Sequence, residues 1–142
     1  MIDLKTVSIQ WHRNIKHSKG LLNATLDDFV NALLTGVFQG INFSKTIDRL
    51  RGSLSKAERT AEKHKLPYIL LSGISKDSTN EEDIVGHTGF FQIDLDLSDN
   101  PALFSNPESL NEIKDKLGAD PYIFLVALSP SGNGLKVIFY MP

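Results

Sequence analysis

The chain of 142 residues has no cysteine, one tryptophan and no apolar run longer than a buried strand. The first absence excludes thiolate catalysis and cysteine-held zinc, and it is compatible with a reducing compartment. No stretch approaches the roughly 18 successive apolar residues of a membrane span, and the opening MIDLKTVSIQWHRNIKHSKG lacks the apolar centre of a signal peptide. The chain therefore reads as cytoplasmic, and the Asn-X-Ser/Thr triplets at Asn23 and Asn42 carry no meaning on that reading. Charge of one sign is also scarce, with a formal net charge of -2. No whole-molecule field holds nucleic acid, so any such contact needs a local patch or another domain. What is there is an ordinary globular balance, 41% hydrophobic and 23% charged, long enough for one domain with its own core. There is no repeat and no low-complexity segment.

Residues 1–66 read as a mainly helical segment after a short strand near 5–10. In TLDDFVNALLTG, Thr25 stands three residues before Asp28 in capping-box order. Leu26, Phe29, Val30, Leu33 and Leu34 then recur at helical spacing until Gly36. SKAE repeats the cap with Ser55 and Glu58, and Pro67 stops that helix. Between them TIDRLRG suits a short helix. From 67 to 142 the pattern is rich in strands. PYILLSG reads as a buried strand, ISKDSTNEEDIVGHTG as a polar loop, and GFFQIDLDL as a strand. Asn106 as cap, Pro107 at the first turn and Gly118 at the end mark a helix over 107–117. PYIFLVALS and LKVIFYM then flank the turn PSGNG, with 135–141 an exposed edge. Ending straight after an apolar strand, the chain reads as the N-terminal fragment of a longer protein.

Two segments carry candidate chemistry. In FQIDLDLSDN, Asp94 and Asp96 stand two apart on a strand and so share one face, opposite Ile93 and Leu95. Carboxylates so placed repel unless a positive group sits between them, and Mg²⁺ or Mn²⁺ suits such hard oxygen donors. They equally suit a solvated strand end, with Asp96, Ser98 and Asp99 opening the next turn. In SPSGNGLK, hydroxyls, glycines and Lys136 suit a phosphate held by backbone N–H groups and a point charge. Gly132, Asn133 and Gly134 equally suit the positive backbone angles of a hairpin. The nucleotide-hydrolase phosphate loop is excluded, because Val137 and a strand follow the lysine. His12, His17, His64 and His87 match no zinc spacing and read as surface residues. Arg13, Lys16 and Lys19 around Trp11 suit a thin patch that touches a nucleic-acid strand by charge and stacking, and equally an exposed, half-ordered N-terminal loop.

Taken in order, LPYILLSG, GFFQIDLD and DPYIFLVALSPSGNGLKV resemble the N-terminal domain of VirE-like bacterial proteins, a family similar to the archaeo-eukaryotic primase superfamily. The upstream LLTG, IDRLRG and KLP follow the same layout, so the resemblance covers nearly the whole chain. It implies an α+β fold, an RRM-like, primase-type antiparallel or mixed sheet packed with helices. It implies that Asp94 and Asp96 are the catalytic carboxylates and bind Mg²⁺ or Mn²⁺. Ser129, Ser131, Gly132, Gly134 and Lys136 match the motif that contacts the nucleotide triphosphate. Lys136 stands where a histidine is usual, and no candidate for a third acidic residue follows. The expected function is the N-terminal part of a primase-polymerase-like domain from a mobile-element or phage replication protein, transferring nucleotidyl groups. Its implied partners are nucleotides, a single-stranded DNA template and a C-terminal helicase domain or partner helicase, with no membrane. The isolated fragment is expected to have little activity. The competing expectation is a non-catalytic RRM-like module that binds single-stranded nucleic acid or docks a helicase. A Lys136 standing more than about 10 Å from Asp94 would point to it. A regulatory domain binding a small anion at SPSGNGLK comes last.

Overall fold

The computed structural model describes residues 2–13, 19–102 and 107–141, without the side chains of 107 and 108. The expected cap Asn106, together with Lys16 and His17, lies outside the described residues. The chain divides into two compact units, Met1–Thr88 and Gly89–Pro142. It is an α+β protein of short antiparallel sheets and helices. No helix among the described residues is long and apolar enough to cross a membrane.

The first unit begins with β1 (Ser8–His12) and β2 (Leu22–Thr25), which pair antiparallel. Helix α1 (Leu26–Thr35) follows at once and carries the expected capping box. Thr25 Oγ1 accepts from the Asp28 N–H at 3.1 Å, and the Asp28 carboxylate accepts from the Thr25 N–H at 2.9 Å. Gly36 ends the helix in the left-handed conformation. The apolar stripe read from the sequence is only partly inward: Leu26 and Ala32 are buried, whereas Leu34 is 79% exposed. A hairpin follows, β3 (Val37–Phe38) and β4 (Ile41–Asn42), then α2 (Ser44–Leu50) and α3 (Lys56–Lys63). Ser55 and Glu58 form the second capping box, and hydrogen bonds from the Ser55 hydroxyl and backbone hold the Glu58 carboxyl below the usual range. Strand β5 (Tyr68–Leu70) then pairs with β1, giving the sheet order β2-β1-β5. The first 66 residues thus hold the three expected helices and, between them, strands too short for a period to register.

The stretch 74–89, expected as an unstructured polar loop, instead holds most of a second hairpin. Strand β6 (Gly73–Ser75) pairs with β7 (Ile84–His87) around a 3₁₀ turn at Glu81–Asp83. Polar bonds order it rather than apolar spacing. The Ser75 N–H donates to Gln10 Oε1 at 2.6 Å, and Gln10 Nε2 donates to the Ser75 carbonyl at 2.9 Å. Ser78 is fully buried and its hydroxyl is bonded to the Asp83 carboxylate. Trp11, expected on an exposed basic loop, is 5% exposed in β1, edge-on to Phe38 at 5.0 Å. Burying that indole removes apolar area from water and leaves no ring for base stacking.

The second unit is β8 (Phe90–Asp96), α4 (Pro107–Gly118), β9 (Ile123–Leu128) and β10 (Gly134–Tyr140). The sheet order is β8-β10-β9 with both pairings antiparallel, so β8 and β9 run parallel with β10 between them. This is a split βαβ unit. The strand expected at the edge, 135–141, is central, and β8 and β9 are the edges. Leu135 and Val137 are each 1% exposed and pack with Leu95, Val126 and the α4 residues Leu110, Ile113 and Leu117. One face of this sheet is therefore committed to the helix, and the alternation of the strands sends Asp94, Asp96 and Lys136 to the other.

Candidate functional site

The register of β8 against β10 assembles the site. Asp94 faces Lys136 and Asp96 faces Gly134 as direct cross-strand partners. Lys136 Nζ donates to Asp94 Oδ1 at 2.8 Å and to Oδ2 at 3.0 Å, while Gln92 Nε2 donates to Oδ1 at 2.9 Å. The positive group that relieves the carboxylate pair is thus a lysine from the neighbouring strand, in direct contact rather than a Debye length away. The side chains of Lys136 and Asp94 are 32% and 50% exposed. An ion pair that wet is worth about 0–1 kcal/mol. Gln92 was not among the residues singled out from the sequence, although its place two before Asp94 on the same face was the available signal.

Asp96 is differently engaged. Its backbone carbonyl accepts the N–H groups of Asp99 and Asn100 at 3.2 and 3.1 Å. Its carboxylate accepts no hydrogen bond among the described residues. The carboxylate lies over Gly134, where an added Cβ would stand 3.1 Å from Asp96 Oδ1 and 2.4 Å from the Leu95 carbonyl oxygen. Gly134 is therefore required for close approach of the two strands. Its φ is not positive, contrary to the hairpin role considered for it, and neither is that of Asn133.

The turn joining β9 to β10 adjoins the Asp96 end. The Ser129 N–H donates to the Gly134 carbonyl at 2.9 Å, and the Leu97 N–H to the Asn133 carbonyl at 3.0 Å, tying the turn to the end of β8. Gly132 has φ +74°, the left-handed value the turn requires. Its N–H is bonded to the Ser129 carbonyl at 2.9 Å and so is closed to a ligand. The N–H groups of Ser131 and Asn133 make no such bond among the described residues. The Ser129 and Ser131 hydroxyls are 3.4 Å apart, with Ser129 8% exposed. Every candidate site residue thus falls at one end of one three-stranded sheet. The open groove of about 440 Å³ between α4 and β9, lined by Lys114, Asp115 and Phe124 among others, contains none of them.

The described histidines belong to the first unit. His12 is in β1, His64 caps α3 and His87 ends β7. No three His, Asp or Glu side chains converge among the described residues.

A family model described as BT4734-like, N-terminal domain, matches residues 61–142. The chain belongs to this family. The BT4734-like match begins in α3 and takes in the whole β8-β10-β9 sheet with Gln92, Asp94, Asp96, Ser129, Ser131, Gly132, Gly134 and Lys136, and leaves out His12. No curated protein and no solved structure matches the chain.

Proposed function

We propose that this BT4734-like domain is the N-terminal part of a primase-polymerase-like nucleotidyltransferase, related to the VirE-like domains and working in the cytoplasm on nucleotides and a single-stranded DNA template beside a helicase. The observation that carries the reading is the pairing of Asp94 with Lys136 and of Asp96 with Gly134, next to the Ser129–Ser131 turn. A carboxylate closed on a lysine 42 residues away in sequence, with a second carboxylate beside it, is otherwise an odd use of exposed strand positions.

The donor set fits Mg²⁺ or Mn²⁺, since both candidate ligands are hard oxygens and the Asp96 carboxylate has no protein partner among the described residues. Asp94 and Asp96 would hold the cation. When bound, it would promote ionisation of the attacking hydroxyl and steady the leaving pyrophosphate. Lys136 is released from Asp94 at a cost of no more than about 1 kcal/mol, because the pair is half exposed. Its ammonium then neutralises a nucleotide phosphate oxygen, and the Ser131 hydroxyl and N–H donate to another. Gly134 keeps the strand surface low where the nucleotide lies.

The second reading is a non-catalytic RRM-like module; the wide Lys136–Asp94 separation that would point to it is not found, since Nζ stands 2.8 Å from Oδ1, and what remains in its favour is that this contact already neutralises one of the two carboxylates. Calorimetry with Mn²⁺ and a deoxynucleoside triphosphate separates the two. On the catalytic reading the nucleotide binds only with metal, and both Asp94→Ala/Asp96→Ala and Lys136→Ala abolish binding. Absence of metal-dependent nucleotide binding in the wild-type chain sinks that reading and leaves the module.

A further inference from the structure

The charge of the chain is unevenly distributed. Residues 44–66, which hold α2 and α3, contain seven Lys and Arg against three Asp and Glu, while the other 119 residues contain eight against fourteen. Two of the three acids of this segment are engaged, and the third, Asp48, is exposed three residues from both Lys45 and Arg51. Glu58 closes the capping box with Ser55. Glu62 takes Lys65 and Arg49, the latter at 3.4 Å, and the Lys65 ammonium is the main cause that holds its carboxyl below the usual range. Arg59 is turned inward, with Nη2 on the Leu54 carbonyl at 3.4 Å. That leaves Lys45, Arg51, Lys56 and Lys63, all exposed and without an acidic partner among the described residues.

We infer that the α2–α3 pair is a docking surface for the phosphodiester backbone of a nucleic acid. Lys56 and Lys63 are seven residues apart on α3 and so lie on one face, about 10.5 Å apart along the axis, which is roughly the length of three phosphates on a strand. Among the described residues α3 buries none, so the helix presents its length to solvent rather than to a core. An anionic membrane is the weaker match. An interfacial helix needs large apolar residues on its inserted face, and α3, KAERTAEK, has only alanine. The surface uses none of the residues assigned to nucleotide binding. It names a place for the template on the proposed reading but stands on its own charges.

The test is fluorescence anisotropy of the whole chain with labelled oligothymidylate, a random-sequence duplex, and phosphatidylserine vesicles as a third arm. Lys56 and Lys63 alone predict a slope of log K against log salt near about -1.4 for a single strand, and all four cations near about -2.8, so that raising salt from about 50 to about 200 mM weakens binding roughly 7- to 50-fold. Lys56→Ala/Lys63→Ala should reduce the slope by about 1.4, while metal-dependent nucleotide binding stays as in the wild type. The single-strand and duplex arms tell which form is preferred. An unchanged slope in the double variant, no oligonucleotide binding at low salt, or vesicles bound more tightly than either nucleic acid would each overturn the inference. Loss of both nucleotide and oligonucleotide binding from Asp94→Ala/Asp96→Ala alone would also overturn it, because the polyanion site would then be the sheet. The salt slope of the wild type needs no variant to fold. Failure of metal-dependent nucleotide binding with a normal salt slope would remove the proposed catalytic reading and keep this surface.

Discussion

Two polar clusters in this chain look alike in composition and differ in what they can do. In the first unit Gln10, Ser75, Ser78 and Asp83 are bonded to one another and to backbone, and the first three are each under 10% exposed. In the second unit Gln92, Asp94, Asp96 and Lys136 line the exposed end of a sheet face that is buried further along at Phe90 and Ile138, with Asp96 carrying no hydrogen bond on its carboxylate among the described residues. Buried polar groups must be satisfied within the protein, and once satisfied they have nothing left to offer a ligand. Exposed ones on a rigid strand keep their lone pairs and charges for exchange. The first cluster is structural by that criterion, and the second is the one free to bind.

The sharpest way to break this contrast is Gln10→Leu. It strands the N–H and the carbonyl of Ser75, each costing about 1–3 kcal/mol when buried without a partner, so a loss of roughly 2–6 kcal/mol is expected in urea unfolding. A change below about 0.5 kcal/mol would mean that water replaces the amide and that the first cluster is as open as the second. Gly134→Val comes next. Its Cβ would meet the Leu95 carbonyl at 2.4 Å, and forcing side-chain atoms into a closed approach costs about 1–3 kcal/mol. A thermal melt unchanged from the wild type would show that β8 and β10 separate there with ease. The smallest effect is expected for Asp94→Asn, which removes a half-exposed ion pair and should shift stability by about 1 kcal/mol or less. A loss several times larger would make Asp94 a structural residue, like Gln10, and remove the basis for reading the second cluster as a binding surface.

Legibility in the sequence followed the range of the interaction. Both capping boxes, Thr25 with Asp28 and Ser55 with Glu58, were visible because they act over three residues. So was the turn with Gly132, whose positive φ is a local demand. Strands β2, β3, β4 and β7 were not visible, because two to four residues cannot display a period. The hairpin of β6 and β7 was hidden further by its dependence on Gln10, a residue 65 positions away from Ser75. Trp11 was misread as a surface ring because nothing near it in sequence announces Phe38, its partner.

By itself the sequence determined the α+β character, the N-terminal caps of α1 and α3 and the Gly36 stop of α1, the shared face of Asp94 and Asp96, and the hairpin that carries Ser129 to Lys136. Each follows from dihedral preference, side-chain period or a hydrogen bond spanning a few residues. Only the tertiary structure decided that β10 lies in the centre of its sheet, that Lys136 closes on Asp94, and that Gly134 is needed for the approach of Asp96. These depend on strand register, which is set by the whole apolar face of Leu95, Leu135 and Val137 packing under α4. A one-residue slip would turn both carboxylates into that core, and the cost of burying them is what holds the site on the open face.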